Sequence, residues 1–123
     1  MRLTLPIPPS VNHSHINVRK GNRLMRIRSD ATKQYLRDAR WVAIDWRNKS
    51  GWRIPDKQEK IIVRIWIFWP NARKRDADNA QKILLDSLTG VLYDDDRQVM
   101  PRVIDMQIDR ENPRVEVELE RVE

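Results

Sequence analysis

Hydrophobic and polar positions alternate most clearly over residues 60–69, where Ile61, Val63, Ile65, Ile67 and Trp69 fall on one face of a β-branched, aromatic run. This pattern predicts a central strand ended by Pro70. A weaker alternation over Arg2 to Pro6, with Leu3 and Leu5 on one face, predicts a short first strand closed by Pro6, Pro8 and Pro9. Helical spacing replaces alternation at Tyr35, Ala39, Val42 and Trp46, with Ser29 as a candidate cap, Asp30 in the first turn and Gly51 as the stop. A second, narrower apolar stripe joins Ala80, Ile83, Leu84 and Leu88 behind Asp76, with Gly90 as terminator. Towards the end, Ile104, Met106 and Ile108 alternate with acids and amides. Val115, Val117 and Leu119 do so again beyond an Asn112-Pro113 turn, so an antiparallel hairpin with one wet face is expected there.

The predicted order of strand, helix, strand, helix and two strands implies an α+β fold: a small mixed β-sheet packed against two α-helices. The whole chain, 1–123, is the expected domain, long enough for a real core and too short to divide comfortably. An apolar fraction of 40% and a charged fraction of 34% fit a globular protein rather than a disordered one. With no cysteine, a disulfide framework and a thiolate metal site are both excluded, and a reducing, cytoplasmic setting is expected. The longest apolar run, residues 61–69, is broken by Arg64 and too short to span a bilayer, so no membrane association is expected; nor does the proline-interrupted N-terminus resemble a signal peptide.

Charge changes this picture because it is unevenly distributed. The net value of +6 conceals 18 Lys/Arg against 5 Asp/Glu over residues 1–75, and 6 against 13 over residues 76–123. A basic arm or hairpin between Asn12 and Arg28, carrying Arg19, Lys20, Arg23, Arg26 and Arg28 around Gly21-Asn22, suits phosphate. The sign reverses abruptly after Arg73, Lys74 and Arg75, where Asp76 and Asp78 open the second helix and Asp94, Asp95 and Asp96 follow it.

Acids at a helix start can simply cap it and complement its dipole, and an acidic turn can simply be solvated. The chemical reading is that carboxylates from both ends of the helix-and-loop unit converge on a divalent cation, since hard oxygen ligands suit Mg²⁺. Arg73, Lys74 and Arg75 would hold the polyanion whose phosphoryl oxygen the metal polarises. Lys82 lies four residues beyond Asp78, either as an ordinary helical ion pair or as a cation for a phosphoryl transition state. An EF-hand fails at Ala80 and Gln81, where an oxygen ligand and a glycine are needed. His13 and His15 read as solvated loop residues. Trp46, Trp66 and Trp69 fall within the element patterns, while Trp41 and Trp52 do not.

The run RDADNAQK, an apolar helix and then DDRQV, with the upstream PPSVN turn after a short strand, resembles the RusA family of Holliday junction resolvases, often carried by phages and prophages. The likeness follows most of the chain in element order and is specific over residues 75–99. It implies a homodimeric, Mg²⁺-dependent endonuclease, with Mn²⁺ as a substitute, that nicks four-way DNA junctions symmetrically in the bacterial or phage-infected cytoplasm, at the nucleoid. By position, Asp76, Asp78 and Asp96 match the family's metal-binding aspartates and Lys82 its catalytic lysine. Arg75 and Asn79 fall on motif positions associated with DNA contact. The loop ahead of the acidic turn is shorter than the family pattern and holds three aspartates, which leaves Asp95 as the alternative to Asp96.

Two other functions remain open on the residues alone. A non-catalytic basic DNA-binding protein would show strong salt dependence and no metal requirement. A nuclease for flaps, other branched DNA or RNA would keep the chemistry and change the target.

Overall fold

In a computed structural model, residues 2–9, 15–73 and 75–122 are described, so His13 and Lys74, like the side chain of His15, lie outside the described residues. The elements are β1 (Leu3–Leu5), β2 (His15–Lys20), β3 (Arg23–Arg28), α1 (Asp30–Ser50), β4 (Ile61–Trp69), α2 (Ala77–Leu88), β5 (Val99–Ile108) and β6 (Arg114–Arg121), with a 3₁₀ turn at Asp96–Gln98. The α+β expectation holds: a mixed four-stranded sheet lies against two helices, and β2 and β3 form a separate two-stranded ribbon.

Local chemistry sets the helix limits. Ser29 Oγ accepts the Thr32 amide at 3.2 Å to start α1, and Gly51, at φ 75°, ends it in the left-handed conformation that glycine adopts cheaply. Asp76 caps α2 by accepting the Asn79 amide at 3.1 Å. Helix α2 ends at Leu88, with Thr89 as an extended cap and the expected terminator Gly90, at φ 82°, directly after it.

The sheet order is β1-β6-β4-β5, with β4 parallel to β5 and antiparallel to β6. The expected hairpin is therefore corrected: β5 and β6 do not pair with each other but flank β4 on opposite sides. The reason lies in β4 itself, which carries Ile61, Val63, Ile65 and Ile67 on the buried side and Trp66 and Phe68 on the other. Such a strand gains most from neighbours along both edges. The α2 crossover makes β5 parallel to β4, and the turn over residues 109–113 carries β6 to the far edge.

The core joins Leu3, Leu5, Val115, Val117 and the β4 isoleucines to Tyr35, Leu36, Ala39 and Ala43 of α1 and Ile83, Leu84 and Leu88 of α2. On the opposite face, guanidiniums roof the aromatics. Arg2 lies 3.7 Å over Trp66 and Arg114 3.9 Å over Phe68, while on β6 Glu116 pairs with both Arg2 and Arg114, Glu118 with Arg2 and Glu120 with Arg64. That face is polar, as alternation in β6 predicts. Trp41, by contrast, is 72% exposed on α1.

Candidate active site

Helix α2 decides where the acids stand. The chain leaves β4 at Trp69, turns through residues 70–75 and enters α2 at Asp76, so Asp76 and Asp78 lie at the C-terminal end of β4. Twelve residues of helix then run back about 18 Å along their axis, at 1.5 Å per residue. The following turn delivers Asp94, Asp95 and Asp96 to the other end of the sheet, where Val99 aligns with Ile61. Within one chain the aspartates at the two ends of α2 do not converge, and the described residues contain no cluster of three acids or histidines able to hold a metal. The expectation of convergence is corrected for a single chain: a helix between two groups is a rigid spacer.

At the first end, Asp76 commits one carboxylate oxygen to the cap, while Asp78 is exposed in the first turn. Lys82 is exposed one turn further on, and among the described residues no ion pair joins it to Asp78. Both side chains are open to solvent. Arg73 is exposed. Arg75 is folded onto its own loop, donating to the Asn71 carbonyl at 3.0 Å, the Arg73 carbonyl at 2.9 Å and Asn71 Oδ1 at 2.7 Å, with its guanidinium 4.9 Å from the Trp69 ring centre. It braces the loop that presents Asp76. Asn79 is half-buried and its amide closes the cap.

At the second end, the three adjacent aspartates have different work. Asp95 caps the 3₁₀ turn, accepting the Arg97 amide at 2.9 Å, and its other oxygen meets the Arg97 guanidinium at 3.1 Å. These bonds from Arg97, the backbone one foremost, hold its carboxyl down at about 2. Asp94 and Asp96 are exposed. The turn is organised by Gln98, which is 4% exposed: its Oε1 accepts the Asp94 and Asp95 amides, and its Nε2 donates to the Asp56 and Glu59 carbonyls.

A cleft of about 320 Å³ opens beside this turn, lined by Arg28, Arg40, Asp86 and Asp94 to Asp96. Asp86 pairs with Arg28 at 2.7 Å and so ties the β2–β3 ribbon to α2. Arg40 donates to the Asp86 carbonyl at 3.3 Å. The sequence held no signal for these roles, because each depends on a partner more than 40 residues away. The basic arm is a regular hairpin closed by Gly21-Asn22, with Lys20 opposite Arg23 and Arg19 opposite Leu24, all exposed.

Fold and side chains together define the class: a small α+β domain presenting an Asp-x-Asp pair and a lysine at one helix start, with a basic ribbon on the same chain, an arrangement suited to phosphodiester chemistry. The profile of a family described as Endodeoxyribonuclease RusA matches residues 6–120. The chain belongs to that family, and with it to the nuclease hydrolases of Holliday junction resolvase type. No curated protein matches the chain.

Proposed function

We propose that the protein is a Mg²⁺-dependent structure-specific endodeoxyribonuclease that resolves four-way DNA junctions by paired nicks, in recombination and repair, and acts as a homodimer in the cytoplasm. The observation carrying this reading is that Asp76, Asp78 and Lys82 stand exposed together at the start of α2 in a chain the RusA profile spans almost entirely.

The donor set suits the metal in kind, since Asp78 and the second oxygen of Asp76 are hard ligands. When bound, Mg²⁺, or Mn²⁺ in its place, would lower the pKa of a water and polarise the scissile phosphate. Asp76 and Asp78 would hold it. Asp96 is favoured over Asp95 as third ligand, because Asp95 has both oxygens committed to Arg97. Given the length of α2, Asp96 can join Asp76 and Asp78 only from a second copy of the chain. Lys82 would balance charge developing on the phosphate, and Arg73, Lys74, Arg19, Lys20 and Arg23 would hold the DNA backbone. Arg75 and Asn79 would act by shaping the loop and cap.

Incubation of a synthetic four-way junction with protein and Mg²⁺ is expected to give symmetrical nicks, absent in Asp78→Asn. Binding without cleavage would favour a non-catalytic DNA-binding protein, and preference for flaps or RNA would reassign the target.

A further inference from the structure

Trp52 belongs to no helix or strand; it lies just past Gly51, in the loop between α1 and β4. Its indole Nε1 nevertheless donates to the Leu92 carbonyl at 2.9 Å, 40 residues away along the chain. Arg47, in the last turn of α1, donates to the adjoining Val91 carbonyl, also at 2.9 Å. The amides of Gly90, Val91 and Leu92 are satisfied within their own segment, by the carbonyls of Tyr93 and Leu88. The carbonyls of Val91 and Leu92, in residues 7% and 0% exposed, take their donors from α1 and the loop behind it instead.

The same loop fixes the far side of the acidic turn. Gln98, whose Oε1 accepts the Asp94 and Asp95 amides, is held through its Nε2 by the Asp56 and Glu59 carbonyls. That loop is itself braced: the Asp56 amide donates to Glu59 Oε1 at 3.0 Å, the Glu59 amide donates to the Asp56 carbonyl at 2.9 Å, and Arg121 of β6 donates to the Arg53 carbonyl and pairs with Glu59 at 3.0 Å. Between the two attachments, Tyr93 is buried, with its hydroxyl donating to the Leu85 carbonyl at 2.6 Å, whereas Asp94 and Asp96 are exposed. The acidic turn is therefore a short outward bridge, and both of its footings rest on residues 47–59.

We propose that Trp52 is a positioning residue for Asp96, setting with Arg47 the footing from which the acidic turn departs. The Leu92 carbonyl lies four residues before Asp96. With buried, hydrogen-bonded Tyr93 between them, a displacement at that carbonyl passes on to the aspartate, because a packed segment shifts as a unit. Packing alone would ask only for a ring at position 52, where the Arg121 guanidinium stacks at 5.0 Å and the Trp46 ring centre lies 6.2 Å away. Positioning asks for the N–H. The proposal rests on the nuclease reading above, in which Asp96 serves the metal.

Trp52→Phe keeps a ring for Trp46 and Arg121 and removes the donor. In ¹⁵N-edited spectra of the full-length, metal-free variant, the amide resonances of Asp94 to Asp96 are expected to move while those of Asp76 and Asp78 stay in place. In junction cleavage, kcat should fall about tenfold with KM unchanged, and the Mg²⁺ concentration for half-maximal cleavage should rise by a similar factor, as when a ligand loses its outer support. A loss of stability alone would leave the Mg²⁺ requirement where it was. Trp41→Phe, at a position 72% exposed, should change none of these readouts. If Trp52→Phe does not fold, Arg47→Met, which keeps the aliphatic stem and drops the Val91 donor, carries the test with the same expected signature. Unmoved resonances in the turn, or a parent-like kcat and Mg²⁺ requirement in the folded variant, would overturn the proposal. A parent that nicks no junction, beside a Trp52→Phe variant whose turn resonances still move, would sink the nuclease reading and leave the link from Trp52 to the turn standing.

Discussion

Gln98 holds Asp95 from inside the fold: its Oε1 accepts the Asp95 amide at 3.0 Å while its Nε2 is fixed to the Asp56 and Glu59 carbonyls at 2.6 and 2.9 Å. One buried amide thus joins the acidic turn to the loop before β4. Replacing it by leucine removes one hydrogen-bond partner from each of four backbone groups, of which the Asp56 carbonyl keeps the Glu59 amide, so Gln98→Leu is expected to cost about 1–3 kcal/mol in urea unfolding. Junction cleavage should fall as well, through misplacement of the turn. Full activity with unchanged stability would show that the turn holds its shape without Gln98.

Asp76 serves as a helix cap whatever else it does, and asparagine caps as well as aspartate. Asp76→Asn should therefore leave the thermal midpoint nearly unchanged while lowering cleavage more than about 100-fold, beyond the usual effect of losing a supporting contact to a ligand. Asp78→Asn and Lys82→Ala, both at exposed positions, should likewise fold normally and cleave poorly. A proportionate loss of stability and activity in Asp76→Asn would point to a capping role alone.

The length of α2, about 18 Å, keeps Asp78 and Asp96 at opposite ends of one chain and yields a complementation test. Asp78→Asn and Asp96→Asn should each be inactive alone. Mixed and allowed to exchange subunits, they should recover cleavage at one site per dimer, because both lesions then fall in the same composite site and the other is intact. If each site lay within one chain, every site in the mixture would carry a lesion and no activity would return.

Exposed Arg19, Lys20 and Arg23 crown a ribbon whose base is tied to α2 through Arg28 and Asp86. Alanine at any one of them should weaken binding to junctions of every sequence and reduce the slope of log K against log salt by about one per lost phosphate contact. The fold should be unaffected. An unchanged slope in the triple variant would remove the ribbon from the DNA-binding surface.

Asp109 gives a pH dependence of defined sign. The Arg114 guanidinium, at 2.8 Å, and the Asn112 amide hold its carboxyl below the ordinary value of 3.8. Its stabilisation is present above 3.8 and is lost as pH falls through the lower folded value. Urea midpoints of the parent and Asp109→Asn should differ at pH 6 and converge at the acid end; a constant difference would mean that the ion pair contributes nothing.

Where side-chain chemistry acts on its own neighbourhood, the chain was legible as a sequence. Strand β4, the capping of α1 by Ser29 and of α2 by Asp76, the Gly21-Asn22 hairpin and the Asp-x-Asp-Asn run followed by Lys82 all depend on residues within a few positions of one another. Periodicity assigned the correct faces of β4 and β6 for the same reason. It could not name a strand's neighbours, because pairing is a non-local competition, and β4 won the centre that a β5–β6 hairpin would have left to it only as an edge. Nor could it foresee that the apolar face of β5 would stay bare, since coverage depends on where the helix layer ends. The aspartates at 76, 78 and 96 looked like one group because 20 residues is a short distance along a sequence. Tertiary structure made α2 a rod between them, and within one chain they stand at its opposite ends.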